Sequence, residues 1–124
     1  MGSINSSGSI ERFWLDSGAL KAFKNAQSPY GPNLGNTVEV EVHGDEQQDN
    51  YGNPIDPGSN AVSVYTSEDF VSWTQVGSTL TVVSHGRAAA TFTVGAYWKI
   101  QNAGPALAFV VAKPLGIAQV VPAL

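Results

Sequence analysis

The clearest feature of the chain is an alternation of apolar and polar residues. In residues 37–43, TVEVEVH, three valines occupy one set of alternate positions, and two glutamates and a histidine occupy the other. Such a segment is typical of a β-strand that buries one face, because successive side chains of a strand point to opposite sides. Further apolar or alternating segments lie at 10–17, 61–66, 73–76, 79–83, 88–94, 96–101 and 106–113.

Turn residues separate these segments at intervals of about 8–12 residues, and no long helical repeat lies between them. We therefore predict an all-β protein, an antiparallel β-sandwich of about seven or eight strands with an immunoglobulin-like or jelly-roll-like topology. Residues 37–113 hold the predicted core of this sandwich.

Both ends of the chain differ from this core. Residues 1–36 combine a small polar arm over residues 1–9 with a leading strand. Residues 18–26 favour a short strand or irregular structure, although the spacing of Leu20 and Phe23 also fits a helical turn. Residues 114–124 are apolar but contain two prolines, which disfavour a central strand. We predict an extended N-terminal arm and an apolar C-terminal tail that either folds back on its own domain or covers a neighbour.

A long polar segment, GDEQQDNYGNPIDPGSN, occupies residues 44–60. Loops of this length are uncommon in compact domains and are often functional, so we interpret it as a recognition loop that presents Tyr51 and Ile55. Its carboxylate and amide oxygens suit Ca²⁺, but their spacing is not that of an EF-hand and its prolines restrict the backbone. We predict a solvated acidic loop and no metal site.

Composition narrows the possible functions. Hydrophobic residues make up 43% of the chain and charged residues only 13%, against about 25% charged residues in an ordinary soluble domain. The net charge of −4 argues against nucleic-acid binding, which needs a basic face. The absence of cysteine excludes disulfides and thiolate metal sites. We also expect neither a membrane span nor export by a signal peptide, because no suitable apolar segment is present.

Candidate catalytic groups are few. The two histidines, His43 and His85, are not part of a nucleophile elbow, a phosphate-binding loop or a paired-histidine zinc motif. Glu39 and Glu41 lie two residues apart on one strand face, so their Cα atoms are about 6.5–7 Å apart. This distance is near the separation of the two carboxylates in glycosidases. Paired glutamates on an exposed strand are also ordinary solubility residues that discourage edge pairing. We predict a protein that is not an enzyme and has no cofactor.

The aromatic residues divide into two groups. Trp73 and Trp98 fall in strand patterns, which predicts that both are structural residues of the core. Tyr51, Tyr65 and Tyr97 lie in the long loop or at outward positions, so they are candidates for a binding surface. Between the strands at 61–66 and 73–76, Asp69 can accept backbone N–H groups and set the turn.

The segment 62–77 carries the pattern V-x-V-Y-x-S-x-D-F-x-x-W-T-x-V-G. It resembles a pattern in small β-sandwich domains of tailed-bacteriophage virion proteins, including capsid decoration (cement) proteins and tail appendages. Ser67, Asp69 and Trp73 match at the same spacing, whereas Phe70 replaces the usual glycine. The segment 96–112 also resembles the end of such domains, with an aromatic strand, a short turn and a final strand.

This resemblance implies a non-enzymatic virion structural protein that decorates and stabilises a capsid. Its partners would be the major capsid protein and copies of itself, as a homo-oligomer such as a trimer. It would be assembled in the host cytoplasm and would not bind nucleic acid or membranes. The arm and the tail would act as clamps. The side chains predicted to bind partners are Ile4, Ile10, Tyr51, Ile55, Tyr65, Tyr97, Leu115, Ile117, Val120 and Val121.

Other interpretations stay open at this level. A carbohydrate-binding module or a tail adhesin that uses the segment 44–60 and its tyrosine is one alternative. The Ser-x-Asp turn is also shared with discoidin-type sandwiches that bind sugars and lipids. A head–tail or tail structural component is another. The Asp-box hairpin of sialidases is similar but places its tryptophan one residue later, so a hydrolase fragment is the weakest interpretation.

Overall fold

The computed structural model describes residues 10–25, 36–115 and 120–122, and these residues form eleven strands. The strands are β1 (Glu11–Leu15), β2 (Leu20–Asn25), β3 (Asn36–His43), β4 (Gln47–Gln48), β5 (Pro54–Ile55), β6 (Asn60–Ser67), β7 (Thr74–Val82), β8 (Arg87–Val94), β9 (Tyr97–Asn102), β10 (Ala108–Pro114) and β11 (Val120–Pro122).

Two antiparallel sheets face each other. One sheet has the order β1-β10-β3-β8, and the other has the order β11-β2-β9-β6-β7. The short strands β4 and β5 form a separate hairpin. The predicted fold class, an all-β antiparallel sandwich, is confirmed. The strand number exceeds the predicted seven or eight because β2, β4, β5 and β11 are added.

The topology is that of a jelly roll. Setting aside the hairpin β4–β5 and the terminal β11, eight strands pair first with last and inward from there: β1 with β10, β2 with β9, β3 with β8, and β6 with β7. These pairs alternate between the two sheets. This nesting of antiparallel pairs into two sheets is the jelly-roll arrangement, so the sequence-level choice between two topologies is decided in its favour.

The core lies between the sheets and follows the alternation of the sequence. In β3, Val38, Val40 and Val42 are each at most 1% exposed. Across the interior, Trp98 of β9 is fully buried, which confirms its predicted place in the core. Burial of such large apolar side chains is the main favourable contribution to folding, about 1.5–3 kcal/mol for each aliphatic residue.

Strand β2 replaces the helical turn that the spacing of Leu20 and Phe23 allowed. Phe23 points into the core, is fully buried and stacks on Trp98 with the ring centroids 4.4 Å apart. Leu20 lies 45% exposed. The two side chains therefore lie on opposite faces, as a three-residue spacing requires in a strand. β1 and β2 are members of the two sheets although they precede the segment 37–113.

A single strand, β7, replaces the two short strands predicted at 73–76 and 79–83. Its pairing with β6 shifts between Val62 and Val64, which marks a β-bulge. Gly77 lies at this irregularity with φ of +63°. A Cβ atom at Gly77 would lie 2.9 Å from the ring of Phe92, so both conformation and space favour glycine here.

The C-terminal tail folds back on its own domain. Its strand β11 pairs with β2 at the edge of the five-stranded sheet. An edge position is where proline is tolerated in a sheet, which accounts for Pro122 in this strand. The predicted tail residue Ile117 lies outside the described residues.

The sandwich has two ends, the Trp73 end and the Tyr51 end. The Trp73 end contains the turn between β6 and β7 and the short turn from β8 to β9. The Tyr51 end contains the segment between β3 and β6, and the turns from β1 to β2 and from β9 to β10.

Asn102 joins the turns of the Tyr51 end. It is fully buried, and its side-chain N–H groups donate to the carbonyl oxygens of Leu15 (3.0 Å) and Ala106 (2.8 Å). Its side-chain oxygen accepts from the N–H of Gly104 at 2.9 Å. One side chain thus satisfies buried backbone groups of two separate turns.

Candidate functional site

The turn between β6 and β7 is built by two side chains. Ser67 Oγ accepts from the backbone N–H of Phe70 at 2.9 Å and donates to Asp69 Oδ1 at 3.0 Å. The same carboxylate oxygen accepts from the N–H groups of Val71 (2.9 Å) and Ser72 (3.0 Å). The N–H of Ser72 and then that of Val71 hold the pKa of Asp69 below its ordinary value. The prediction that Asp69 sets the turn is confirmed.

Phe70 takes the conformation that its motif usually assigns to glycine. Its φ is +63°, a left-handed value that costs a residue with a Cβ about 1–2 kcal/mol. Its ring meets Trp73 edge-on at 5.2 Å and Tyr97 edge-on at 5.3 Å between centroids. These aromatic contacts offset the backbone strain, because edge-to-face pairs are favourable.

Trp73 is not in the core, which corrects the prediction made from the strand pattern. It is half-buried and lies outside the buried cluster between the sheets. Its ring packs beside Phe70, and Lys99 Nζ lies 4.5 Å from its centroid. Trp73 directly precedes β7, so strand alternation does not fix its side, and the ring lies against the outer face of the five-stranded sheet.

Four aromatic side chains and one lysine form a continuous surface, which we call the aromatic–lysine face. It consists of Tyr65, Phe70, Trp73, Tyr97 and Lys99, all half-buried. Lys99 is paired across the strands with Tyr65, and its Nζ lies 5.4 Å from the tyrosine ring centroid. The outward positions predicted for Tyr65 and Tyr97 are confirmed.

Neutral hydrogen-bonding groups continue this face along β7. Gln75 is the cross-strand partner of Tyr65, and its side-chain N–H donates to Thr79 Oγ1 at 3.1 Å. The hydroxyls of Thr79 and Ser63 are 2.8 Å apart. Amides and hydroxyls therefore border the aromatic rings on the same side of the sheet.

The outer face of the four-stranded sheet has a different character. Phe109 packs on Trp14 with the ring centroids 4.8 Å apart and on His43 at 5.5 Å. His43 Nε2 is hydrogen-bonded to Glu41 Oε1 at 3.0 Å. Lys113 Nζ donates to Glu41 Oε2 at 2.6 Å. The hydrogen bond from Lys113, and then that from His43, lowers the pKa of Glu41.

The candidate carboxylate pair, Glu39 and Glu41, lies within this charged group. Glu39 also lies 3.6 Å from Lys113, so both glutamates of the candidate pair are engaged with one lysine. An open depression of about 220 Å³ is lined by Glu41, Arg87, Ala88 and Ala89. Among the described residues, the ring nitrogens of His43 are hydrogen-bonded to the carboxylate of Glu41 and to the side-chain amide of Gln47. A catalytic triad would instead require a hydroxyl nucleophile as one of these partners.

The segment 44–60 contains the short hairpin β4–β5. Asp49 Oδ1 accepts from the backbone N–H groups of Tyr51 (2.8 Å) and Asn53 (2.9 Å). The N–H of Asn53 and then that of Tyr51 lower the pKa of Asp49. Tyr51 is 89% exposed near the tip, and Ile55 is half-buried. Within the described ranges, no three acidic, histidine or cysteine side chains are grouped to hold a metal ion.

Apolar residues near the chain ends are exposed. Ile10 is 45% exposed and Leu115 is 57% exposed. Ile10 precedes β1 and Leu115 follows β10, and these two strands are antiparallel neighbours, so both residues lie at the Trp73 end. Val120 and Val121 are placed in β11 by their backbone, and Ile4 lies outside the described residues. No helix in the described part of the chain is long and apolar enough to span a membrane.

Two features of the surface were not predicted. Lys99 and Phe70 complete the aromatic–lysine face. Trp14 and Phe109 form a cross-strand aromatic pair on the outer face of the four-stranded sheet. The outward position of Lys99 was readable from the alternation of residues 96–101. Its contact with Trp73 was not readable, because it depends on how β6, β7 and β9 are aligned.

Comparison with models of known protein families found no match, and comparison with curated proteins found none either.

Proposed function

We propose that this chain is a non-enzymatic structural subunit of a tailed-bacteriophage virion, a decoration or cement protein on the outside of the capsid. The turn from Ser67 to Trp73 is the observation that carries the proposal. Its sequence pattern resembles that of virion sandwich domains, and Ser67 and Asp69 use the matched side chains to build the turn. The matched side chains thus have a structural role in the turn, which supports the resemblance.

The topology supports the proposal by analogy. Jelly rolls are common in viral capsid proteins and in lectins. Fold alone does not assign function. An enzymatic function has less support among the described residues than the structural role proposed above. On the four-stranded sheet, Lys113 contacts both Glu39 and Glu41.

Exposed apolar side chains at the Trp73 end supply a surface for assembly. Ile10 precedes β1 and Leu115 follows β10, and both are exposed. Covering such side chains with a partner contributes about 25 cal/mol for each Å² of apolar surface. A stable interface typically buries about 1,600 Å² in total, so this patch would be one part of a larger contact with the major capsid protein and with copies of this chain.

The proposal can be tested by reconstitution. Capsids that lack the subunit are mixed with purified protein and separated on a density gradient. We expect the wild-type chain to sediment with the capsids, and the double variant I10D/L115D to stay at the top. Val83→Asp is the matched control, since Val83 is an apolar residue of similar exposure, 66%, in the turn after β7 at the Tyr51 end. Failure of the wild-type chain to sediment with capsids would contradict the proposal.

A further inference from the structure

Charge is distributed unevenly between the two sheets. The strands of the five-stranded sheet contain Lys21, Lys24 and Lys99 and no aspartate or glutamate. The strands of the four-stranded sheet contain acidic and basic residues in equal number. In a chain whose net charge is −4, a sheet with basic residues and no acidic ones is a local exception that favours an anionic ligand.

Among the three lysines of this sheet, Lys99 is the one on which the inference rests. It belongs to the aromatic–lysine face, where its Nζ lies between the rings of Trp73 (4.5 Å) and Tyr65 (5.4 Å). Among the described residues, the ion pairs of lysine and arginine side chains with carboxylates involve Arg87 and Lys113 and not Lys99. Its ammonium group is thus fixed in place by aromatic rings and has N–H donors left for an external acceptor.

We propose that the aromatic–lysine face binds an anionic saccharide. The rings of Tyr65 and Trp73 would pack against the C–H faces of the sugar, which are attracted by the negative faces of aromatic rings. Lys99 Nζ would take the carboxylate or sulfate of the sugar in a charge-assisted hydrogen bond. The amide of Gln75 and the hydroxyl of Thr79, which border the rings, would bind sugar hydroxyls.

The chemistry favours a saccharide over a nucleic acid. Single-stranded nucleic acids also stack on aromatic side chains. Their binding, however, depends on neutralising several phosphates, whereas the outer side of this sheet presents Lys24 and Lys99 in a molecule of net charge −4. A saccharide with a single uronate or sulfate group presents one charge, which one lysine can neutralise. The site uses residues other than Ile10 and Leu115, on the outer side of the five-stranded sheet, although both surfaces reach the Trp73 end.

An NMR titration of isotopically labelled full-length chain tests the proposal. The probes are oligogalacturonate, a heparin-derived oligosaccharide, an uncharged malto-oligosaccharide of matched length, and oligo(dT). We expect at least one of the two anionic saccharides to shift the indole N–H of Trp73 and the amides near Lys99. The uncharged sugar should bind about tenfold more weakly, since it lacks the hydrogen bond between charged groups.

Matched variants separate this site from nonspecific attraction. Lys99→Met keeps most of the side-chain length and removes the charge, and should weaken binding about tenfold or more. Lys99→Arg should retain it. Arg12→Met removes a charge from the four-stranded sheet and should have no effect, and Tyr65→Ala should weaken binding where Tyr51→Ala does not. Amide spectra report whether each variant is folded.

The proposal is overturned if neither anionic saccharide shifts the aromatic–lysine face. It is also overturned if Lys99→Met and Arg12→Met weaken binding equally, or if oligo(dT) binds this face more tightly than the saccharides.

Discussion

Phe70 shows how one residue can keep a turn that glycine would normally form. Its left-handed backbone is unfavourable for any side chain with a Cβ, and its φ of +63° is nevertheless retained. Its ring contacts with Trp73 and Tyr97 offset this cost. Phe70 thus provides aromatic contacts at a position where glycine would provide a less strained backbone.

Substitution of Phe70 can separate the cost of the backbone strain from the gain of the aromatic contacts. Phe70→Ala should lower the free energy of unfolding by about 2 kcal/mol, since it loses two aromatic pairs and keeps the backbone strain. Phe70→Gly loses the same pairs but relieves the strain, which outweighs the greater flexibility of glycine in the unfolded chain. We expect it to be about 0.5–1 kcal/mol more stable than the alanine variant. Urea denaturation measures both, and an alanine variant more stable than the glycine variant would contradict the account.

Asp69 gives the same turn a pH dependence. Its pKa is lowered in the folded state by the backbone N–H groups of Ser72 and Val71. A carboxyl with a lowered pKa contributes stability above its ordinary pKa of 3.8, and this contribution is lost as the pH falls through the lowered value. The melting temperature of the wild type should exceed that of Asp69→Asn at neutral pH. The difference should shrink as the pH falls below about 4, and a constant difference down to pH ~3 would exclude this role.

At the scale of elements, Asn102 connects parts of the chain that are distant in sequence. It binds the carbonyl groups of Leu15 and Ala106 and the N–H of Gly104. These groups belong to the last residue of β1 and to the turn between β9 and β10. Its removal would leave several buried backbone groups without partners.

Asn102→Ala should therefore lower the free energy of unfolding by about 3 kcal/mol or more. Asn50→Ala is the matched control, because Asn50 is exposed in the hairpin, and it should change stability by less than about 0.5 kcal/mol. Equal effects of the two substitutions in urea denaturation would show that the buried network contributes little.

Trp98 and Trp73 show when the alternation of residues in the sequence predicts the position of a side chain and when it does not. Trp98 lies inside an alternating segment, so its burial followed from the positions of Tyr97 and Lys99 on either side. Trp73 lies just before β7, with a turn on one side, and no alternation fixes where its ring points. Strand type and buried face were predictable where the alternation was complete, and the aromatic–lysine face was not, because it depends on cross-strand alignment.

For the whole molecule, the pairing of strands was beyond the reach of local patterns. The jelly roll joins the first strand to one near the C-terminus, as in the pairing of Glu11 with Ala112. Alternation identifies strands but does not state which ones pair, so immunoglobulin-like and jelly-roll topologies were both compatible with the sequence. The return of β11 to β2 was likewise one of two options for an apolar tail.

The two proposed roles use different residues of the jelly roll, although both sets reach the Trp73 end. Exposed apolar residues lie next to the chain ends, as Ile10 and Leu115 do, whereas the aromatic–lysine face covers the outer side of the five-stranded sheet. A subunit bound to a capsid through its ends could keep that face in solvent. The assembly proposal and the saccharide proposal can therefore hold together or fail separately.

Electron cryomicroscopy of the assembled particle tests the decoration role. We predict repeated density on the outer surface of the capsid, at positions set by its symmetry, into which the two-sheet sandwich fits with Ile10 and Leu115 turned toward a neighbouring subunit. Particles that contain the chain but show no such density on the capsid, or a sandwich held without any contact near its chain ends, would contradict it.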